Sequence, residues 1–313
     1  MVEIINLQQN FSDAPRAILP EVSVVVGSYQ IPDLMLELLQ ALALKAPVGV
    51  EIIIIDMGNP RPQRTALNAL AQLPGIKLLV ATTGLVGAYN LGARHARGQY
   101  LWLLNEQYPC SLQAMATLLA QRNRFNFPCV LSLPSVGPKG WDLNALLTPR
   151  AACWHWGGGR RLAQWLGFSR QTTLGSASGQ FHSALPFSGF LVKTEFFRKL
   201  SGLSEQYGEQ AAWFDFFLRW QIWGGSLYQI ASPEIAQVAW PLLGVKMQFQ
   251  LTRGWVRFYR QYFAQTPARG WCAVVIGLVI IHGIVSSFKG LFKGWGSVRR
   301  QRWSRSSPAL LKP

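Results

Sequence analysis

Val22-Ser-Val-Val-Val26, Glu51-Ile-Ile-Ile-Ile55, Gly75-Ile-Lys-Leu-Leu-Val80 and Tyr100-Leu-Trp-Leu-Leu104 decide the fold of this chain. Each run is too short for a helix and is followed by turn residues: Gly27-Ser-Tyr29, Asp56-Met-Gly-Asn59, Thr82-Thr-Gly84 and Asn105-Glu-Gln107. Short, nearly unbroken apolar runs read as strands of a parallel sheet buried on both faces. Helical spacing fills the gaps. Leu34, Leu38 and Leu42 recur every four residues with Met35 and Leu39 beside them, and Pro32 suits the first turn. Further helices are expected from Arg64 to Leu73, from Val86 to Arg97 with Gly98 as a C-terminal cap, and from Ser111 to about Arg122. Cys129-Val-Leu-Ser-Leu133 is a fifth strand. Strands and helices alternating over short links imply right-handed βαβ units in a doubly wound, mostly parallel α/β sheet. Such a sheet binds ligands at the carboxyl ends of its strands, where the turn residues above lie.

Outward from this core the rhythm changes. Met1 to Pro20 is a polar arm. Pro134 to about Leu185 is irregular, rich in Gly, Ser and Thr, and contains Trp154-His-Trp-Gly-Gly-Gly-Arg-Arg161; long irregular stretches within a domain are usually functional loops. Regular structure resumes with a strand at Phe187–Val192, a short helix at Glu195–Leu200, an aromatic helix at Trp213–Trp223 and a strand at Gly224–Ile230. The expected organisation is an arm over 1–20, a body over 21–243 with halves at 21–133 and 134–243, and a basic helical tail over 244–313.

Half of the 313 residues are apolar, enough for a sizeable core, and 30 Lys and Arg against 14 Asp and Glu give a net charge of +16. That charge favours phosphates, nucleic acid or an anionic membrane surface. The four cysteines are scattered without CxxC spacing and the four histidines are equally dispersed, which points to neither zinc nor a disulfide framework. The N-terminus has no basic patch followed by an apolar core, so no signal peptide is expected.

With these residues in hand, the chain resembles the family 2 inverting glycosyltransferases of the GT-A fold, over about Val22 to Trp240. The family opens on a strand followed by Ser-Tyr-Asn, matched by Ser28-Tyr29-Gln30. A strand ending in Val-Asp-Asn-Gly-Ser is matched by Ile55-Asp56-Met57-Gly58-Asn59. The Asn-Leu-Gly helix start and the Ala-Arg-Gly after it are matched by Thr82–Gly92 and Ala96-Arg97-Gly98, and a later Gly-Phe-Leu-Val by Gly189–Val192. The resemblance implies a nucleotide-sugar donor and places Ser28, Tyr29, Asp56, Gly84, Gly87 and Asn90 around it. Asp56 would accept hydrogen bonds from the base or ribose, or else cap the turn after its strand. Gly84 and Gly87 would let backbone approach the donor. Asn90 is either a donor contact or structural.

The chain also departs from the family. The family's Asp-x-Asp or Asn-x-Asp, which holds a divalent cation on the diphosphate, is Asn105-Glu106-Gln107 here. Residues two apart on a strand share a face, so Asn105 and Gln107 are the candidate Mg2+ or Mn2+ ligands and Glu106 is expected to point elsewhere. Otherwise Glu106 swings in, or Arg160 and Arg161 neutralise the diphosphate, or no transfer occurs. The catalytic base of the family precedes an Asp-Leu-x-Leu-Arg segment, matched by Asp215-Phe-Phe-Leu-Arg219. Counting back from it reaches Ala212 and Trp213, whereas counting forward from Tyr207-Gly208 reaches Glu209. Glu209 and Asp215 are therefore the catalytic candidates, Asp215 alternatively being a helix-surface partner of Arg219. The family's late histidine corresponds to Trp240.

The tail mixes bases with aromatics between Lys246 and Phe263, then is nearly all apolar from Trp271 to Phe288, then basic again from Lys289 to Arg305. Those eighteen apolar residues make about 27 Å of helix, short of a roughly 30 Å hydrocarbon core. An in-plane or re-entrant anchor on an anionic inner leaflet, a single span, and a buried core helix are the alternatives. The expectation is a transferase on the cytoplasmic face of a membrane that uses a lipid-linked or polysaccharide acceptor and makes no specific contact with nucleic acid. The rival is a catalytically lapsed protein of the same fold acting as a scaffold for another transferase.

Overall fold

The computed structural model describes residues 19–45, 49–106, 112–121, 128–133, 135–136, 144–157, 180–182, 189–230, 236–237 and 245–305. Gln107, Arg160, Arg161 and Trp240 lie outside them.

The alternation read from the sequence is present. Strands β1 (Val22–Ser28), β2 (Val50–Asp56), β3 (Ile76–Val80) and β4 (Tyr100–Asn105) alternate with helices α1 (Asp33–Lys45), α2 (Arg61–Leu70) and α3 (Leu85–His95), and α4 (Leu112–Gln121) precedes β5 (Cys129–Ser132). The next elements are β6 (Ser135–Val136), α5 (Pro149–Trp156), β7 (Gln180–His182), β8 (Gly189–Lys193), α6 (Thr194–Lys199), α7 (Gly208–Ile222), β9 (Ser226–Gln229), β10 (Ala236–Gln237), α8 (Val245–Phe263) and α9 (Arg269–Arg305). Eight strands form one sheet in the order β3-β2-β1-β4-β8-β5-β9-β7. β1 to β4 are parallel to one another, and β8 runs against both β4 and β5. β9 is parallel to β5, and β7 runs against β9. The sheet is thus mixed but mostly parallel, with β8 a reversed insertion at its centre.

Alternate residues of the central strands face two apolar clusters. Val25, Ile53, Ile55, Leu101 and Leu103 face one; Val24, Val26, Ile52, Ile54, Trp102 and Leu104 face the other. Both faces are covered, which is why these strands carry no polar alternation. Helix α3 lies so close to the sheet that a Cβ on Gly92 would stand 2.2 Å from Val25 Cγ1.

Two expectations change here. Gly98 is not the C-terminal cap of α3; Ala96 holds that position in an extended conformation. Gly98 is instead wedged against β1, where a Cβ would lie 2.6 Å from the amide nitrogen of Ser23. Its N–H donates to Ser23 Oγ (2.8 Å) and Glu51 Oε1 (3.2 Å), so the residue is small because the backbone must reach Glu51. The boundary expected at 243/244 is not a packing boundary either. Trp255, Phe258 and Tyr259 of α8 and Cys272, Val275 and Val279 of α9 sit in the same core cluster as α3 and α7. Tyr259 donates its hydroxyl to the Leu146 carbonyl (3.0 Å), and a Cβ on Gly254 would collide with the Tyr207 carbonyl oxygen.

Candidate active site

β1 and β4 are neighbours and end side by side, Gly27 pairing with Asn105. Their carboxyl ends deliver Tyr29 and Glu106 to one place, where the Tyr29 N–H donates to Glu106 Oε1 (3.3 Å). This contact places the Glu106 carboxylate at the carboxyl end of β1, while Gln107, with which the expectation compared it, lies outside the described residues. The premise of that expectation was an extended strand through residue 107, but β4 ends at Asn105 and Glu106 already belongs to a turn, so strand alternation does not govern it. Glu106 is buried, and its Oε2 is shielded from solvent with no hydrogen-bond partner among the described residues.

Glu209 lies in the first turn of α7. Burial, and after it the charge of Glu106, raises the Glu209 carboxyl above its ordinary value. Burial first, then Glu209 and Glu106, raises the Tyr29 hydroxyl; burial, Glu106 and Glu209 do the same more strongly at Tyr89. Two carboxylates and two tyrosines thus share one electrostatic environment. Tyr89 is fixed there by donating its hydroxyl to the Leu104 carbonyl (2.9 Å) and by packing its ring edge-on against Trp213. A carboxylate raised by burial and by a like-charged neighbour is suited to take a proton near neutral pH.

The other expected site residues divide. The side chain of Ser28 is buried and donates to Asn59 Oδ1 (3.1 Å); Asn59 in turn donates from Nδ2 to the Ser28 carbonyl (3.0 Å) and accepts from the Ile31 N–H (2.9 Å). Asn59, which sequence reading quoted only as part of a motif, is therefore the knot joining the ends of β1 and β2. Asp56 Oδ1 accepts from the N–H groups of Gly58 (2.9 Å) and Asn59 (2.8 Å) and from Asn59 Nδ2 (2.9 Å), while Oδ2 pairs with Arg64 Nε (3.1 Å). Burial would raise its carboxyl, but the bonds from Asn59 and Gly58 and the charge of Arg64 outweigh burial and hold it below its ordinary value. The geometry gives Asp56 the turn-capping role, and a donor group could reach only Oδ2, by displacing Arg64.

Gly84 leaves open space at the start of α3, with nothing within 4 Å of where a Cβ would stand. Gly87 does not: a Cβ there would stand 2.8 Å from Thr83 Cβ and 3.3 Å from Glu205 Oε2. Its bareness admits those side chains rather than a ligand backbone contact. Asn90 is structural: Nδ2 donates to the Leu203 carbonyl (2.8 Å) and Oδ1 accepts from the Leu203 N–H (2.9 Å). This two-way clamp anchors the segment leading to Glu205, which itself accepts from Asn90 Nδ2 (3.5 Å). Glu205 was missed in the sequence because its proximity to α3 is a contact between segments 115 positions apart.

Asp215 makes the helix pairing with Arg219 that was the alternative expected for it. Oδ2 is held by Arg219 Nη2 (2.6 Å) and Nε (2.9 Å), and Oδ1 accepts the Tyr262 hydroxyl (2.6 Å). Asp215 has 2% of its surface exposed, and both its oxygens accept from groups of the protein itself. The same Arg219 donates from Nη2 to the Gly202 carbonyl (2.8 Å), so this pair ties α7 to the Leu203 segment and to α8.

Asn105 is buried at the end of β4. Among the described residues no three His, Cys, Asp or Glu side chains come close enough together to hold a metal ion. Gln107, the other ligand expected for Mg2+ or Mn2+, lies outside the described residues.

Residues 23–109 match the sequence model described as Glycosyl transferase family 2. No curated protein matches the sequence. Among solved structures, the chain is similar to the mannosyltransferase PcManGT from Pyrobaculum calidifontis, solved with GDP-Man and Mn2+: 15% identity, TM-score 0.53, covering 98% of this chain and 86% of that one. It is also similar to S. aureus TarS 1-349: 10% identity, TM-score 0.51, covering 90% of this chain and 92% of that one. At such identities the likeness speaks for the fold, which is of the GT-A type in all three.

Proposed function

We propose that this family 2 glycosyltransferase of GT-A fold moves a sugar, with inversion, from a nucleotide-sugar donor to a lipid-linked or polysaccharide acceptor at the cytoplasmic face of a membrane. The observation that carries the reading is the convergence of Glu209 with Glu106 and Tyr29 beside the carboxyl ends of β1 and β4. The nucleoside diphosphate lies across those strand ends, with Tyr29, itself partly exposed, along its edge. Glu209 takes the proton of the acceptor hydroxyl as its oxygen attacks the anomeric carbon. The bond from that carbon to the diphosphate oxygen breaks, and the nucleoside diphosphate departs with the electron pair. Glu106 does not touch the sugar; its negative charge keeps Glu209 basic. Ser28, Asn59, Asp56 and Asn90 hold the loops that carry these groups.

The test is a transfer and donor-hydrolysis assay of the full chain with several nucleotide sugars, alongside calorimetry with uridine, guanosine and thymidine diphosphates. Saturable binding of one diphosphate and turnover of its sugar is the expected result, with Glu209→Gln cutting turnover by roughly 10² to 10⁴ while binding persists. Failure of all three diphosphates to bind overturns the reading. The scaffold alternative draws on the Asn105-Glu106-Gln107 sequence, which lacks the family's acidic spacing. It predicts that Glu209→Gln leaves the cellular role intact.

A further inference from the structure

Helix α9 is apolar on every side over Arg269–Ser287, with a mean hydropathy of 2.0, yet only one side of it meets the protein. Cys272, Val275, Val279 and Gly283 recur at three- and four-residue spacing and are buried. They seat the helix along its length. The Cys153 Sγ lies 3.7 Å from the Trp271 carbonyl at one end, Cys272 Sγ contacts the Tyr259 carbonyl (3.3 Å), and further along His282 packs edge-on against Trp156 (5.1 Å between ring centres). A Cβ on Gly283 would strike Thr252 of α8. The opposite side carries Trp271, Val274, Ile280, Ile281, Ile284 and Val285, with Ile281 and Ile284 58% and 52% exposed. A continuous strip of large apolar side chains is not a normal solvent face; on a soluble molecule it marks a contact with another apolar phase.

The neighbouring surface identifies that phase. On α8, Arg253, Arg257 and Arg260 are all exposed and fall within one side of the helix. Thr252, which meets Gly283, is adjacent to Arg253, and Tyr259, which meets Cys272, is adjacent to Arg260. Arg253 and Arg260 therefore flank, about 100° around the helix, the side of α8 that meets α9, while Arg257 between them donates to the Gln206 carbonyl (2.9 Å). Phe249, 67% exposed, projects from the same side of α8. Exposed aliphatic and aromatic side chains bordered by guanidinium groups, on a chain of net charge +16, match an anionic lipid leaflet: acyl chains for the strip, phosphate headgroups for the Arg row. A second protein would need acidic groups at that spacing, and a second copy of this chain would bring Arg against Arg.

We infer that α8 and α9 together form a membrane-seating surface on which α9 lies in the plane of an anionic leaflet, half immersed, and does not cross it. The packing excludes a crossing with the body outside the bilayer. Cys272 to Gly283 span about 17 Å of helix, and the contacts described along that length are with α5 and α8, so a perpendicular α9 would draw those elements into the hydrocarbon. This inference is independent of the transfer chemistry, because vesicle binding reads the surface whether or not the enzyme turns over.

The experiment is flotation of the full chain with vesicles of phosphatidylcholine alone and of phosphatidylcholine with about one third phosphatidylglycerol, followed by alkaline carbonate extraction. Unchanged far-ultraviolet dichroism and melting would show that each variant folds. The expected result is binding to the anionic vesicles, weakened by salt, poor binding to the neutral ones, and release by carbonate. Ile281→Glu/Ile284→Glu abolishes binding, and Arg253→Gln/Arg260→Gln weakens it roughly 30-fold, about fivefold per arginine. Equal binding of wild type and Ile281→Glu/Ile284→Glu overturns the inference. A concentration-dependent dimer that the same pair of substitutions dissociates, without vesicle binding, assigns the strip to a second copy and overturns it too. Retention through carbonate overturns the in-plane geometry in favour of a span.

Discussion

The Tyr262 hydroxyl lies 2.6 Å from Asp215 Oδ1, joining α8 to α7 through a carboxylate whose other oxygen is already paired with Arg219. Burial and the Asp215 contact push the Tyr262 hydroxyl well up, so it remains a donor at any working pH. The arrangement makes Asp215 a structural post. Asp215→Ala leaves the partly buried Arg219 and the Tyr262 hydroxyl without their partner and is expected to cost about 3 kcal/mol of stability. The folded fraction keeps its turnover number. Urea unfolding alongside active-site-normalised kinetics checks both halves; a collapse of turnover in molecules that remain folded would return Asp215 to catalysis.

Glu209 should behave in the opposite way. Its carboxyl is raised in the folded protein, so the folded state holds that proton more tightly than the unfolded one. Its contribution is therefore unfavourable once ionised: stability falls as pH rises from the ordinary carboxylate value through the raised one, and stays lower above it. Glu209→Gln removes that slope. The variant is expected to be at least as stable as the wild type at neutral pH while losing turnover, which thermal melts across pH 4 to 8 would reveal.

Glu106 acts on Glu209 through charge, so Glu106→Gln should lower the Glu209 carboxyl toward its ordinary value. The acidic limb of the kcat/KM profile then moves to lower pH, and the plateau falls because a weaker base accepts the proton less readily. A merely structural Glu106 would lower activity equally at all pH values without moving the limb.

At the opposite end of β2, Glu51 accepts from Ser23 Oγ (2.6 Å), the backbone N–H groups of Arg97 and Gly98, and Arg97 Nε (3.3 Å). Burial would raise this carboxyl, but the bond from Ser23 and those from Arg97 outweigh it and hold it below its ordinary value. Its stabilisation is thus fully present above the unfolded value and is lost as pH falls through the folded one. Glu51→Ala removes the acceptor of the Arg97 N–H and of a buried hydroxyl, while the Gly98 N–H keeps Ser23 Oγ, and is expected to cost about 3 kcal/mol with no direct effect on donor binding. Stability measured at pH 7 and pH 3 should converge between variant and wild type.

The sequence by itself determined the sheet. Val22–Val26, Glu51–Ile55 and Tyr100–Leu104 are apolar because both faces of each strand are covered, and a run of that kind has few other readings. It also determined which strand ends carry polar turns, and hence that Tyr29, Asp56 and Glu106 lie at one edge. Tertiary structure decided what each of them does there. Asp56 and Asp215 are both carboxylates beside an arginine, yet only the coordinates show their oxygens already occupied, while Glu209 feels the charge of Glu106. Partners 31, 47 and 115 positions apart, as in Ser28–Asn59, Asp215–Tyr262 and Asn90–Glu205, leave no periodic trace in a chain. The apolar tail shows the same division: its composition is local and legible, but which half of α9 meets protein is set by Trp156, Thr252 and Tyr259, and no spacing within the helix reveals them.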